Sequence, residues 1–207
     1  MDYFSNNDQN KHIVVISPYS GQEVFAIFNA VEQYKKTGID GKVLSVLLQV
    51  AYWCALKKGE LLALRIKDVF DVDGKPLKQI NVPDELNSAL KKYWKYLESF
   101  PKYKTGRLSP LFPDPRIGTS YNDRKFNRHI KKLCREHRNI SIIKIEKLRQ
   151  AGICSHYESL KESGYAPDDC LQKTVRFARC SEKQTIGILT DKIQPGGQHR
   201  IRPDWDE

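Results

Sequence analysis

Nothing in this 207-residue chain is long and apolar enough to cross a bilayer. The best run, Val43 to Ala55, is interrupted and falls short of the roughly 18 residues a membrane helix needs. The opening stretch, Met1 to Lys11, is polar and has no apolar secretory core. The expectation is therefore a cytoplasmic protein, in its own cell or in a host's, with no membrane partner. Cysteines are scattered: Cys54, Cys134, Cys154, Cys170 and Cys180 include no C-x-x-C pair. That spacing argues against zinc and against a disulfide framework, and predicts buried or half-buried free thiols. No metal and no cofactor are expected. Internal repeats and low-complexity segments are also absent, which argues against a repeat architecture.

Acid is the charge in short supply. Lys and Arg number 35 against 25 Asp and Glu, a formal charge of +10. Such an excess favours a polyanionic partner, because each neutralised phosphate releases condensed counterions. Otherwise the composition is that of an ordinary globular chain, with 40% hydrophobic and 29% charged residues. Its length suffices for one large domain or two small ones with a real core.

Periodicity predicts a mainly α fold with a small antiparallel β-sheet. A polar arm over residues 1–16 precedes a domain over 17–192, and a tail rich in Pro, Gly and mixed charge covers 193–207. Val43, Leu44, Leu47, Leu48 and Ala51 form a broad apolar stripe, the mark of a central core helix. After a turn at Lys57-Lys58-Gly59, a helical pattern resumes over Glu60–Leu64. Ile66, Val69 and Val72 then lead into Asp73-Gly74, a two-residue turn signal, and Leu77, Ile80 and Val82 follow. This reads as a β-hairpin or three-stranded sheet. Leu86, Leu90, Tyr93 and Leu97 line one face of a helix starting after Pro83, and the four prolines of Phe100–Gly118 mark a loop. Further helices are predicted over Ile143–Ser163 and Asp168–Ala178. A last helix is opened by Ser181 with Gln184 three residues on, a capping-box spacing.

The helix predicted over Ser120–Arg138 carries the clearest binding signal. Phe126, Ile130 and Leu133 mark its buried face, while Arg124, Arg128, Lys131, Lys132 and Arg135 fall along another side. A cationic stripe of this kind matches a phosphate backbone. A merely solvated helix face would interleave acids for i,i+4 pairing, and only Asp123 and Glu136 are present.

Local sequences add a resemblance. Ala55-Leu56-Lys57-Lys58-Gly59-Glu60-Leu61-Leu62-Ala63-Leu64-Arg65-Ile66-Lys67-Asp68-Val69 resembles the signature T-G-L-R-x-S-E-L-x-x-L-x-W-x-D-I. Asp73-Gly74-Lys75 is similar to a hairpin bearing a catalytic lysine, and Gln79-Ile80-Asn81-Val82-Pro83 to the strand after it. Leu111-Phe112-Pro113 resembles L-F-P, and Ile145-Glu146-Lys147-Leu148-Arg149 an H-x-L-R box. After a longer spacer than usual, Arg179-Cys180-Ser181 through Thr190 resembles G-H-S and a nucleophile helix. The patterns matched are those of the catalytic domain of the tyrosine recombinases, or phage integrases, which the chain resembles over about Ser17 to Lys192.

What the resemblance implies is a DNA-binding scaffold without its chemistry. In that family two arginines clamp the phosphate, a lysine and histidines handle protons, and a tyrosine attacks as covalent nucleophile. Here Lys57 stands where the first arginine belongs, and a point-charge ammonium does not replace a forked donor. Glu146 replaces the first histidine and would repel a phosphate. Cys180 lies near the second histidine position, and Leu189 takes the place of the tyrosine. Arg149 and Lys75 are retained. The chain is thus expected to be no enzyme. The residues expected to touch duplex DNA are Lys57, Lys75, Arg124, Arg128, Lys131, Lys132, Arg135, Arg149 and Arg179. The implied role is sequence-specific binding, as a transcriptional regulator or repressor, or as an accessory factor of a phage or mobile element. Self-association or a related recombinase are the further partners this role implies. Two rival readings are an active recombinase using a displaced tyrosine such as Tyr157 or Tyr165, and a protein–protein adaptor. For Lys57 and Arg149 the rival role is structural, as bases near a helix end paired with acids such as Glu60.

Overall fold

In the computed structural model, residues 17–34, 39–77, 83–99, 103, 106–114, 118–137 and 140–193 are described. The polar arm, the strand residues Gln79–Val82, and all but the first residue of the tail lie outside them. Among the described residues the chain forms eight α-helices: α1 Gly21–Tyr34, α2 Ile39–Trp53, α3 Lys58–Ala63, α4 Asp84–Glu98, α5 Asp123–Glu136, α6 Ile145–Glu162, α7 Pro167–Ala178 and α8 Glu182–Ile193.

Helix α2 is the centre because it is apolar on nearly every side. Val43 through Leu48 are all buried, and α1, α3, α4 and α6 pack around it. Ser45, buried within this run, donates from its hydroxyl to Glu32 Oε1 at 3.1 Å and accepts from Gln49 Nε2 at 3.3 Å. The α2–α6 crossing depends on a glycine: a Cβ added to Gly152 would lie 2.0 Å from the Tyr52 carbonyl oxygen. A second, smaller core gathers Ile153, Cys154 and Tyr157 of α6, Cys170 and Ala178 of α7, Leu189 of α8, and Ala55 just beyond α2. All five cysteines are free, two buried and three half-buried.

Helix starts follow local chemistry. The Asn122 side chain accepts from Lys125 N–H at 2.8 Å and caps α5. Pro167 opens α7 with Asp168 and Asp169 in its first turn. The Ser181–Gln184 box before α8 forms in both directions, at 3.4 and 3.3 Å. Helix α1 is absent from the sequence expectations, although Ser20 and Glu23 make the same reciprocal cap. Cys170, Thr174 and Ala178 form the inner face of α7, with Leu171 and Val175 partly buried.

The expected small sheet is the main correction. Among the described residues it is reduced to three isolated antiparallel bridges, Arg65↔Pro110, Phe70↔Pro76 and Pro113↔Ser120. Every bridge has a proline on one side. Without a backbone N–H, proline cannot extend a ladder, so none propagates. The Asp73-Gly74 turn does form: Asp71 N–H donates to Lys75 O at 2.9 Å, and Gly74 adopts φ 72°. A Cβ there would lie 2.2 Å from the Trp94 ring, so only glycine fits against α4. A 3-10 turn, Ile66–Asp68, takes the place of the first strand's start.

Candidate nucleic-acid interface

Helix α5 presents the two faces its sequence predicts. Phe126, Ile130 and Leu133 are buried, joined by Lys125 and His129, and the Lys125 ammonium is neutralised inside by Asp114. Arg124, Arg128, Lys131, Lys132 and Arg135 are all exposed. At 3.6 residues per turn, Arg124, Arg128, Lys131 and Arg135 share an arc of about 60°. Lys132 stands to one side, 3.7 Å from Glu136 and 5.7 Å from the centre of the Tyr34 ring. The other four are exposed and make no ion pair with a described residue.

A second basic group collects where α2 ends. Ala55 turns the chain there with φ 48°, a left-handed conformation that costs a non-glycine residue roughly 1–2 kcal/mol. Arg149 from α6 donates from Nε to the Ala55 carbonyl at 2.9 Å, from Nη2 to the Ala178 carbonyl at 2.8 Å, and from Nη1 to Glu146 Oε1 at 2.9 Å. Arg179, itself left-handed at φ 51°, donates from Nη2 to the Cys54 carbonyl at 3.0 Å. Two guanidinium groups therefore cap the negative C-terminal ends of α2 and α7.

Residues distant in sequence thus meet at the Cys54–Lys57 turn: Glu146, Arg149, Arg179 and, two residues past Ala55, the exposed Lys57. Lys57 N–H donates to Glu60 Oε2 at 2.9 Å, starting α3. Arg149 differs from expectation. It is only 3% exposed, and three of its nitrogens are held by protein acceptors, so the guanidinium is not presented to an outside phosphate. Glu146, whose side chain is 44% exposed, takes the position beside it. Cys180 follows Arg179, its sulfur 3.2 Å from Thr185 Oγ1. Leu189 is fully buried in the same small core as Ala55 and Ala178. Lys75 is exposed on its separate turn.

The thiol of Cys54, at this turn, is not activated. Burial lifts the Cys54 thiol to about 11, with Arg179 opposing the shift, which keeps it protonated at neutral pH. Tyr157 lies in the small core and its hydroxyl is pushed above its usual value by burial. Tyr165 is half-exposed, with the Lys173 ammonium 4.6 Å from its ring centre.

The two basic groups are joined through Lys58. Its ammonium pairs with Asp123 and reaches Asn127 Oδ1 at 3.2 Å, fixing the start of α3 against the first turn of α5. Asn127 is about 60° around the helix from Arg124, so α3 starts beside the α5 stripe. The partners of Lys58, Asp123 and Asn127, are far from it in sequence, the second by 69 residues, beyond any local periodicity. Elsewhere the polarity is reversed: a cleft of about 460 Å³ is lined by Glu23, Glu158 and Glu162. Glu158 and Glu162 lie about half a turn around α6 from Arg149.

Compared with known proteins, the chain matches no family model, no curated protein and no solved structure.

Proposed function

We propose that this chain binds double-stranded DNA without cutting it, on a scaffold like the tyrosine-recombinase catalytic domain. The observation that carries the reading is the exposed basic stripe of α5, four cations without an acid partner among the described residues, with Lys57 next to Lys58, which holds α3 against that helix. A surface of this kind binds polyanions by releasing counterions. The recombinase-like part of the reading draws support from convergence. Lys57, Glu146, Arg149 and the Arg179–Cys180 pair, each assigned by resemblance to one active site, gather at one turn. The loss of chemistry draws support from Leu189, an alkyl side chain sealed in the core, and from Arg149, whose donors are taken up by the protein itself.

Sequence-specific occupancy is the role proposed, as a regulator or repressor or as an accessory factor to a related recombinase of a mobile element. The test is fluorescence anisotropy with duplexes of mixed sequence and of the DNA beside its own gene, across a salt series. The triple variant Arg124→Ala/Arg128→Ala/Lys131→Ala is expected to bind every duplex more weakly. Its log Kd against log salt slope should drop by roughly 0.9 per lost phosphate contact. Unchanged binding by that variant removes α5 from the interface. On a nicked suicide duplex no covalent protein–DNA band is expected, and one mapped to any tyrosine refutes the non-cutting reading.

A further inference from the structure

We infer that the turn Gly106–Ser109 is a second DNA-contacting element, a rigid wedge for the minor groove; this rests on the DNA-binding reading above. Its tip is Arg107-Leu108, both exposed, with Leu108 at 64%. An exposed leucine alone is ordinary on a protein surface. What distinguishes this one is how it is held and what surrounds it.

The turn is closed from both sides. Ser109 N–H donates to Gly106 O at 2.8 Å, and Gly106 N–H donates to Ser109 Oγ at 3.2 Å. Its backbone is also tied to a distant stretch: Ile66 N–H donates to Ser109 O and Lys67 N–H to Arg107 O, both at 3.0 Å. Arg65 donates from Nη1 to the Leu108 carbonyl at 3.2 Å, directly behind the tip. Three exposed cations, Arg65, Lys67 and Arg107, thereby lie on or against the turn that presents one apolar side chain. None makes an ion pair with a described residue; Asp68, the neighbouring acid, accepts the Arg65 backbone N–H at 2.8 Å.

Arginine and an apolar side chain on one rigid tip suit the minor groove. Its narrow stretches concentrate negative potential that draws arginine, and apolar wedges there unstack a base step and bend the duplex. An acidic protein partner would match the cations but would not require a presented leucine between them. The placement also fits. Helix α3 is six residues long, about 9 Å of rise, and it links Lys58, against α5, to Arg65, behind the tip. From the other side, Leu111 N–H donates to Leu64 O at 2.8 Å and Asp114 pairs with Lys125 of α5. The tip is thus anchored one short helix from the α5 stripe, so that one duplex can meet α5 in its major groove and the turn in the adjoining minor groove.

The test uses the full chain and a short mixed-sequence duplex, labelled at both ends for energy transfer and carrying 2-aminopurine at successive steps. Leu108→Ala removes an exposed side chain and no charge. It is expected to weaken binding about tenfold, to leave the salt slope unchanged, and to abolish both the bend and the 2-aminopurine rise. Arg107→Ala is expected to weaken binding about tenfold and to lower the slope by about 0.9. If both variants bind and bend DNA like the parent while the triple α5 variant loses affinity, the wedge is overturned and the DNA reading stands. If the parent binds no duplex at low salt, both fall.

Discussion

Replacing Arg149 by alanine separates a clamp that holds the fold from one that holds DNA. In the folded protein this guanidinium donates to the carbonyls of Ala55 and Ala178 and to Glu146. Without it the two carbonyls lose their donor in a buried setting, at about 1–3 kcal/mol each. Glu146 is nearly half-exposed and stays hydrated, so its lost pairing adds little. The left-handed Ala55 also loses a bond that holds it in place. The two orphaned carbonyls together place the loss at about 3–5 kcal/mol. For a domain of this size each kcal/mol lowers Tm by about 2–4 °C, so a fall of about 6–20 °C is expected. Urea denaturation should show a lower midpoint with an unchanged slope. DNA affinity, measured cold where the variant is still folded, should stay within about twofold. Arg149→Lys keeps the charge but not the fork, and should rescue little. A variant that melts within about 2 °C of the parent but binds DNA tenfold more weakly refutes the structural role and restores Arg149 to the phosphate contact.

Three further outcomes are open to measurement. Glu146→Gln removes a half-exposed negative charge from the rim of the basic face while keeping an acceptor for Arg149; DNA binding should tighten several-fold at low salt and by less at high salt, and weaker binding in anisotropy titrations refutes this. Gly152→Ala puts a methyl 2.0 Å from the Tyr52 carbonyl, so the α2–α6 crossing must open, and urea denaturation should show a loss of about 2 kcal/mol or more. His156, stacked on Phe177 with ring centres 4.1 Å apart, is held below its usual pKa by burial. The unfolded chain then binds the proton more readily, so this stability is present above the ordinary histidine value and is lost as pH falls below it. Denaturation midpoints from pH 7 to pH 5 should fall more steeply for the parent than for His156→Phe, and parallel curves rule the group out.

Local pattern made the helical elements legible, and the reason is geometric. The α2 stripe, the two faces of α5, the inward row Leu86, Leu90, Tyr93 and Leu97 of α4, and the Ser181–Gln184 cap all rest on residues within a few turns of one another. A missed helix, α1, carried a comparable local signal in Ser20 and Glu23. Alternation around Asp73-Gly74 points to a sheet, yet among the described residues only isolated bridges form, because the missing donors of Pro76, Pro110 and Pro113 matter only once the partner strand is known.

For the candidate site, sequence determined which charges exist and which side of α5 they occupy. Tertiary structure alone decided what each charge meets. Arg149 and Arg135 are equally basic in the sequence, yet one is buried on carbonyls 94 and 29 residues away and the other faces water. Lys58 joins two basic groups through partners 65 and 69 positions on, and Leu108 becomes a presented tip because residues 65–67 brace it. Periodicity is a property of neighbouring residues, whereas the fate of a charge depends on whether the fold brings an acceptor to it, and long-range packing sets that.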